Sequence, residues 1–229
     1  MTIIDNYKRI REQIDTKALK IGRDPASINI ISVSKTFPFE DIQEAIDSGI
    51  IIFGENKVQE AKEKLLHLNG NFSFHMLGHL QTNKAKDAVK LFDMIHSIDK
   101  NETALKINNE AFKINKIQSV LIQIKTSDEK TKSGIAPDDA IKLAEYITTL
   151  KNLKLEGVMS IGPLTEDSRL TAKSFKETAD TLISINKALS LNLKELSMGM
   201  SGDYLMAVEQ GATMLRIGTA IFGKRSYNQ

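Results

Sequence analysis

A lysine at the end of a short apolar run is the residue of this chain whose position most suggests covalent chemistry. The run Ile28 to Lys35 reads Ile-Asn-Ile-Ile-Ser-Val-Ser-Lys and lies between Asp24-Pro25 and Pro38, which is typical of a buried strand. Partial desolvation at the end of such a strand lowers the pKa of an amine and lets it form a Schiff base with a carbonyl group. The alternative is an ordinary lysine whose ammonium reaches solvent from the strand end.

Two glycine-containing segments late in the sequence could bind a phosphate group. Residues 198–203 read Met-Gly-Met-Ser-Gly-Asp, and residues 218–223 read Gly-Thr-Ala-Ile-Phe-Gly. Glycines such as Gly218 let backbone N–H groups approach an anion closely, and the hydroxyls of Ser201 and Thr219 could donate further hydrogen bonds. Each segment alone would be interpreted as a tight turn, with Ser201 as the N-cap of a helix. Because both follow the last two predicted strands, together they favour phosphate.

An arginine in the last predicted strand is expected to point inward. Arg216 lies between Leu215 and Ile217, and side chains alternate between the two faces of a strand. A buried guanidinium needs an acceptor. The sequence leaves two possibilities open, an ion pair with an inward carboxylate and binding of a ligand.

The histidines indicate no metal site. His75 and His79 are four residues apart, but the intervening sequence is typical of a strand followed by a turn, and no nearby carboxylate completes a set of ligands. No Ser-His-Asp arrangement can be assigned either. We therefore assign no metal ligand and no catalytic residue from sequence.

Composition restricts the class of protein. The 229 residues are 41% hydrophobic, which is enough for a large core and predicts one domain spanning residues 1–229. The net charge of +2 gives no indication of a nucleic-acid partner, and the alternating charges from Glu60 to Lys64 predict a solvated helix face. The absence of cysteine excludes disulfides and thiolate sites. With no signal peptide and no membrane-length apolar run, we expect a cytoplasmic protein that does not associate with membranes.

The chemically interesting residues follow strands that alternate with helices. Ile3, Tyr7, Ile10 and Ile14 have helical spacing, which predicts an N-terminal helix over residues 2–21. Further helices are expected near residues 39–48, 56–68, 81–91, 101–114, 137–150, 168–189 and 203–210. Strands are expected near residues 28–35, 50–54, 73–77, 93–98, 118–125, 154–160, 194–198 and 213–217.

This alternation predicts a single α/β domain, a closed (β/α)8 barrel of the TIM type. The extra N-terminal helix would fill a place in the outer ring. An open doubly wound sheet is the competing fold, but no Gly-x-Gly-x-x-Gly follows the first strand. In such a barrel, the reactive groups lie at the C-terminal ends of the strands, and a phosphate site commonly follows the seventh and eighth.

A Schiff-base lysine, a phosphate site and a buried arginine at one rim together suggest pyridoxal 5'-phosphate (PLP). Three functions are compatible with these residues. The first is a protein that binds PLP without strong catalysis, the second is a PLP-dependent racemase or lyase, and the third is a Schiff-base aldolase acting on a sugar phosphate. The residues alone do not separate them.

Six motifs in order resemble the pyridoxal phosphate homeostasis proteins, a family similar to the N-terminal barrel of alanine racemase and to other fold-type III PLP-dependent proteins. The likeness covers essentially the whole chain. The motifs are Val33-Ser34-Lys35-Thr36, Phe53-Gly54-Glu55-Asn56-Lys57-Val58-Gln59-Glu60, Gly78-His79-Leu80-Gln81-Thr82-Asn83-Lys84, Ser133-Gly134-Ile135, Ser197-Met198-Gly199-Met200-Ser201 and Arg216-Ile217-Gly218-Thr219-Ala220-Ile221-Phe222-Gly223.

The resemblance implies a role for each cofactor-binding residue. Lys35 would hold PLP as an internal aldimine, Arg216 would face the pyridine nitrogen, and Asn56 would lie near the ring. The phosphate would be bound by Ser201, Gly218 and Thr219.

The resemblance also implies a monomeric protein that maintains the supply of PLP and delivers it to apo-enzymes, without strong catalysis of its own. Racemases carry a second domain that supplies a tyrosine base, and no such base is expected here. Lys84 and Lys132 could act as secondary lysines during transfer, although solvated surface lysines are the simpler interpretation.

Overall fold

The computed structural model describes residues 2–127 and 133–223, which form a closed barrel of eight parallel strands in chain order. Lys132, discussed above, lies outside the described residues. The strands are β1 Asn29–Val33, β2 Ile52–Glu55, β3 Ser73–Met76, β4 Met94–Ile98, β5 Gln118–Ile124, β6 Leu153–Ser160, β7 Glu195–Ser197 and β8 Met214–Ile217. The barrel closes where β8 pairs with β1. The predicted (β/α)8 fold is therefore confirmed.

Helices surround the barrel and connect its strands. Those in the described residues are α1 Ile3–Lys20, α2 Phe39–Asp47, α3 Val58–Leu65, α4 Ala85–Leu91, α5 Asn101–Phe112, α6 Ala140–Thr148, α7 Ser168–Leu189, α8 Tyr204–Glu209 and α9 Thr219–Phe222. Short 3-10 turns at Pro25–Ser27, Thr82–Lys84 and Pro137–Asp139 precede β1, α4 and α6. None of the helices within the described ranges has the length and apolar character needed to cross a membrane.

Two packing layers position the site. A large apolar cluster fills the space between the strands and the outer helices, and a smaller one lies inside the barrel, where Ile31 and Val33 of β1 meet Leu77 and Met159. Ile31 is the register partner of Arg216 in β8. Since laterally paired residues share a face of the sheet, Arg216 points into the barrel, as its alternation with apolar neighbours predicts.

The N-terminal helix completes the outer ring. Helix α1 starts at a capping box in which Thr2 accepts a hydrogen bond from the backbone of Asp5 and donates one to its carboxylate. It packs against α2, α8 and α9. Asn6 Nδ2 donates to the Ile221 carbonyl at 3.0 Å, so α1 is attached to the segment that follows β8.

The structure differs from the sequence expectation at the start of β2 and after β8. Strand β2 begins at Ile52 because the Ile50 N–H donates to the Ala45 carbonyl at 3.0 Å and ends helix α2. The segment 218–223, interpreted as a loop, contains the short helix α9.

Candidate functional site

A cavity of about 480 Å³ lies at the C-terminal ends of the barrel strands. Every residue proposed from sequence as a cofactor ligand lines it. These residues are Lys35, Asn56, Ser201, Arg216, Gly218 and Thr219. The structure therefore brings together residues from both ends of the sequence, from Lys35 to Thr219. They meet at the rim where this fold places its reactive groups.

Arg216 forms the most enclosed polar part of this cavity. It is 6% exposed, and burial lowers the pKa of its guanidinium to about 10. It donates to Ser197 Oγ at 2.8 Å and to the Ser160 carbonyl at 2.7 Å. Within the described residues no carboxylate lies within 4.0 Å of the guanidinium, so these neutral acceptors take the place of the ion pair that the sequence left open. A buried cation of this kind favours a ligand that offers an acceptor.

The segments after β7 and β8 are joined at the cavity. Ser201 Oγ accepts a hydrogen bond from the Ala220 N–H at 3.3 Å, so Ser201 is not the N-cap of the following helix. That position belongs to Asp203, whose carboxylate accepts from the Met200 N–H at 2.5 Å. Gly199 has a φ of +88°, and a Cβ there would lie 2.5 Å from the Cβ of Ala207, so this turn requires glycine.

The backbone on both sides of Lys35 is held by a cluster centred on Lys64. Lys64 Nζ donates to the Ser34 carbonyl at 2.8 Å. It also contacts Glu55 Oε1 and Glu60 Oε1, each at 2.6 Å. Glu60 Oε1 in turn accepts from the Thr36 N–H at 2.5 Å. Thr36 has a φ of +69°, a conformation that costs a non-glycine residue energy and needs support from its surroundings.

The Lys64 cluster corrects the sequence interpretation of α3. The alternating charges predicted a solvated face, but Lys64 is 8% exposed and Glu55 is completely buried. Burial is also the main reason why the pKa of Glu55 is raised, against the opposing attraction of Lys64. The signal that sequence reasoning could have used is the spacing of Lys64 from Val58 and Ala61, which places all three on one face of the helix.

Gly78 allows the turn after β3 to approach the turn after β2. A Cβ at Gly78 would lie 2.2 Å from the backbone oxygen of Asn56, closer than real contacts permit. Both residues line the cavity. The position of Asn56 at the cavity wall therefore requires glycine, which has no Cβ, at position 78.

Substituting Gly78 with alanine is expected to displace Asn56 and to destabilise the fold by about 1–3 kcal/mol, the usual cost of overpacking. Thermal and denaturant unfolding would measure the change in stability. Gly202→Ala is the matched control, because a Cβ at Gly202 meets nothing within 4 Å. Equal stability of the two variants would contradict the prediction.

The sequence analysis also did not identify a set of polar residues inside the barrel. His75, which the sequence offered only as a possible partner of His79, instead contacts His96 of the neighbouring strand, at 3.1 Å between Nδ1 and Nε2. His96 contacts Ser197 Oγ at 3.0 Å. Each histidine lies in a strand that is otherwise largely apolar, which is the signal that identified Arg216.

Comparison with known proteins identifies the family to which the chain belongs. The family described as alanine racemase, N-terminal domain, matches residues 5–226. The pyridoxal phosphate homeostasis protein of Vibrio alginolyticus is 40% identical over 232 residues, covering 99% of each chain. The protein of the same name from Aquifex aeolicus is 36% identical over 228 residues, covering 99% of this chain and 100% of that one.

Solved structures agree with the sequence relatives. PipY of Synechococcus elongatus, in a structure with PLP bound, is 35% identical with a TM-score of 0.82, covering 93% of this chain and 100% of that one. Alanine racemase of Clostridium difficile shares the fold at 16% identity, with a TM-score of 0.74, and the match covers 98% of this chain and 58% of that one. Fold and site thus define a barrel of the alanine racemase N-terminal type. Within that class, the chain belongs to the pyridoxal phosphate homeostasis protein family.

Proposed function

We propose that this protein binds PLP in the cavity at the C-terminal rim of the barrel and maintains the cellular supply of the cofactor. The observation that carries the proposal is the convergence of Lys35, Arg216 and the glycine-containing segments after β7 and β8 on one cavity of about 480 Å³. An amine, a buried cation and two glycine-containing turns at one rim match the aldehyde, the ring nitrogen and the phosphate of PLP. The PLP bound to PipY supports the same assignment.

The proposed function assigns a role to each of the residues predicted to bind the cofactor. The Lys35 amine would condense with the aldehyde with loss of water, and the Lys64 cluster holds the backbone on either side of Lys35. Ser201 and Thr219 donate hydroxyl hydrogen bonds to the phosphate, and Gly218 lets the backbone approach it. Asn56 lines the cavity and would lie near the ring. Bound PLP supplies an electrophilic aldehyde and an electron-withdrawing ring.

The partner of the ring nitrogen favours storage over catalysis. Arg216 offers only N–H donors, and its pKa of about 10 keeps it charged at neutral pH. Beside the ring nitrogen of bound PLP, it would keep that nitrogen unprotonated, which would weaken the ring as an electron sink compared with a carboxylate partner. In this proposal the protein therefore retains PLP and limits the concentration of reactive aldehyde. It releases PLP to apo-enzymes and acts as a monomer in the cytoplasm.

A transfer experiment tests this proposal. Purified protein loaded with PLP is expected to be yellow and to restore activity to an apo-form of a PLP-dependent enzyme. The same loaded protein, incubated with a panel of amino acids in deuterated water, is expected to exchange no Cα proton. Exchange at a turnover rate would establish a PLP-dependent enzyme instead, and a colourless protein that binds a sugar phosphate would establish the aldolase alternative.

A further inference from the structure

An unbroken series of polar contacts crosses the interior of the barrel from the cavity to the opposite rim. Each contact lies within hydrogen-bonding distance. At the cavity, Arg216 Nη1 lies 2.8 Å from Ser197 Oγ, which lies 3.0 Å from His96 Nδ1. His96 Nε2 lies 3.1 Å from His75 Nδ1. His75 Nε2 lies 3.1 Å from Ser73 Oγ, which lies 3.1 Å from Asp93 Oδ2.

The two ends of this series lie at opposite faces of the protein. Arg216 lines the cavity at the C-terminal ends of the strands. Ser73 is the first residue of β3, and Asp93 immediately precedes β4, so both lie at the N-terminal rim. Asp93 is exposed to solvent. The series therefore connects a solvent-exposed carboxylate to the buried floor of the ligand cavity.

The histidines in the middle of the series are neutral at neutral pH. Burial lowers the pKa of His75 to about 4. Burial likewise holds the pKa of His96 well below its ordinary range, with further repulsion from His75 and Arg216. A neutral imidazole carries one N–H donor and one acceptor nitrogen. Each histidine therefore donates one hydrogen bond and accepts one, so both histidines must donate toward the same end of the series.

The chemistry of the two ends fixes that direction. A carboxylate accepts only, so the single Ser73 proton is directed to Asp93 and His75 Nε2 must donate to Ser73. His75 Nδ1 is then an acceptor, which requires His96 to carry its proton on Nε2. His96 Nδ1 is left to accept the Ser197 proton. The Ser197 oxygen can then accept from Arg216, which is a donor only.

We propose that His96 is a positioning residue for Arg216, kept in the Nε2–H tautomer by His75, Ser73 and the distant Asp93. Through Ser197 it fixes the guanidinium that faces the PLP ring nitrogen, so this inference rests on the proposed function. In the opposite tautomer, Ser197 would receive donors from both His96 and Arg216, and its own proton would lose its acceptor. The orientation of the cation on the cavity floor thus depends on a carboxylate at the other end of the barrel.

The tautomers can be measured in the wild-type protein without PLP. Long-range proton–nitrogen spectra of the protein with 15N-labelled histidine distinguish Nε2–H, Nδ1–H and doubly protonated rings. We expect the Nε2–H form for both His75 and His96 at pH 7. An Nδ1–H or doubly protonated ring at either position would overturn the proposal. Because no substitution is involved, this result does not depend on whether a variant folds.

A substitution at the exposed end tests the coupling. Asp93→Ala removes the terminal acceptor, so Ser73 becomes able to donate to His75, and we expect the Nδ1–H tautomer of both histidines to become measurably populated beside the Nε2–H form that Arg216 and Ser197 still favour. Asp93→Asn, which retains an acceptor oxygen, is expected to restore the wild-type tautomers. Asp138→Ala, at an exposed aspartate before α6, is the control. Unchanged tautomers in Asp93→Ala would overturn the proposal, since a purely structural role for Asp93 would not move a proton on His96.

The effect at the cavity is then measured with PLP itself. We expect roughly a ten-fold loss of PLP affinity for Ser197→Ala, which removes one hydrogen bond to a charged group. We expect a smaller loss and a shifted visible absorption for Asp93→Ala, and near wild-type values for Asp93→Asn. Unchanged affinity and absorption in Ser197→Ala would contradict a positioning role. Expected tautomers in a protein that binds no PLP would instead reject the proposed function and leave the described proton order intact.

Discussion

Replacing Lys35 with alanine is expected to eliminate the covalent attachment of PLP completely. The wild-type protein should show a visible chromophore that borohydride reduces to a stable label on the peptide containing Lys35. In the variant, the residues proposed for the phosphate and ring remain, so PLP should bind weakly and reversibly, with the absorption of the aldehyde itself. Peptide mapping after reduction measures the loss.

Lys187→Ala is the matched control for this experiment. Lys187 is an exposed lysine in the last turn of α7 and does not line the cavity, so its loss should leave the label on Lys35 unchanged. A label that persists in the Lys35 variant, or that is spread over many surface lysines, would refute covalent binding in the cavity. The protein would then remain a phosphate-binding barrel with another ligand.

Replacing Lys64 with methionine is expected to lower the free energy of unfolding by about 3–5 kcal/mol, because it leaves the completely buried Glu55 without its cation. The same change removes the donor to the Ser34 carbonyl, so the turn that carries Lys35 should also loosen and PLP affinity should fall. Denaturant unfolding and a PLP titration measure the two effects separately.

The effect of Lys64→Met should depend on pH with a defined sign. Burial already raises the folded-state pKa of Glu55 above its ordinary value of 4.5, and loss of Lys64 raises it further. A carboxyl group with a raised folded-state pKa binds its proton more tightly in the folded state, so stability falls as pH rises from about 4.5 toward that pKa. The variant should therefore lose less stability at pH 5 than at pH 8.

Lys176→Met provides the comparison for Lys64. Lys176 also lies four residues from a carboxylate partner, Asp180, but both side chains are exposed, at 68% and 57%. Exposed pairs of this kind contribute about 0–1 kcal/mol. Similar losses in the two variants would show that Glu55 does not depend on Lys64, and recovery in the double variant Lys64→Met with Glu55→Gln would support the dependence.

The fold could be predicted from sequence because its signals are local. Apolar runs of strand length alternate with helical spacing along the whole chain, and parallel pairing follows from that alternation. The expected bounds of α7, residues 168–189, coincide with the structure. Boundaries shifted where a helix end and a strand start share residues, as at Ile50, because a capping hydrogen bond there overrides β propensity.

The site could be predicted only in part. Lys35 and Arg216 stand out because a charged residue interrupts an apolar strand pattern, and the glycine-containing segments stand out by composition. His75 and His96 also interrupt apolar strands, and Lys64 shares a helix face with apolar residues, but their partners could not be predicted because those contacts join different elements of the fold. Lys64 in particular follows a charge pattern that solvated helices also show.

The pairing of the first strand with the eighth has a consequence for the order of events during synthesis. Ile31 pairs with Arg216, and at about 5–20 residues per second the two leave the ribosome roughly 10–40 seconds apart. The nascent chain therefore presents Lys35 long before Arg216 and the turns proposed to bind the phosphate exist. Since β8 both closes the barrel and carries Arg216, the proposed binding of PLP would have to wait until the fold is complete.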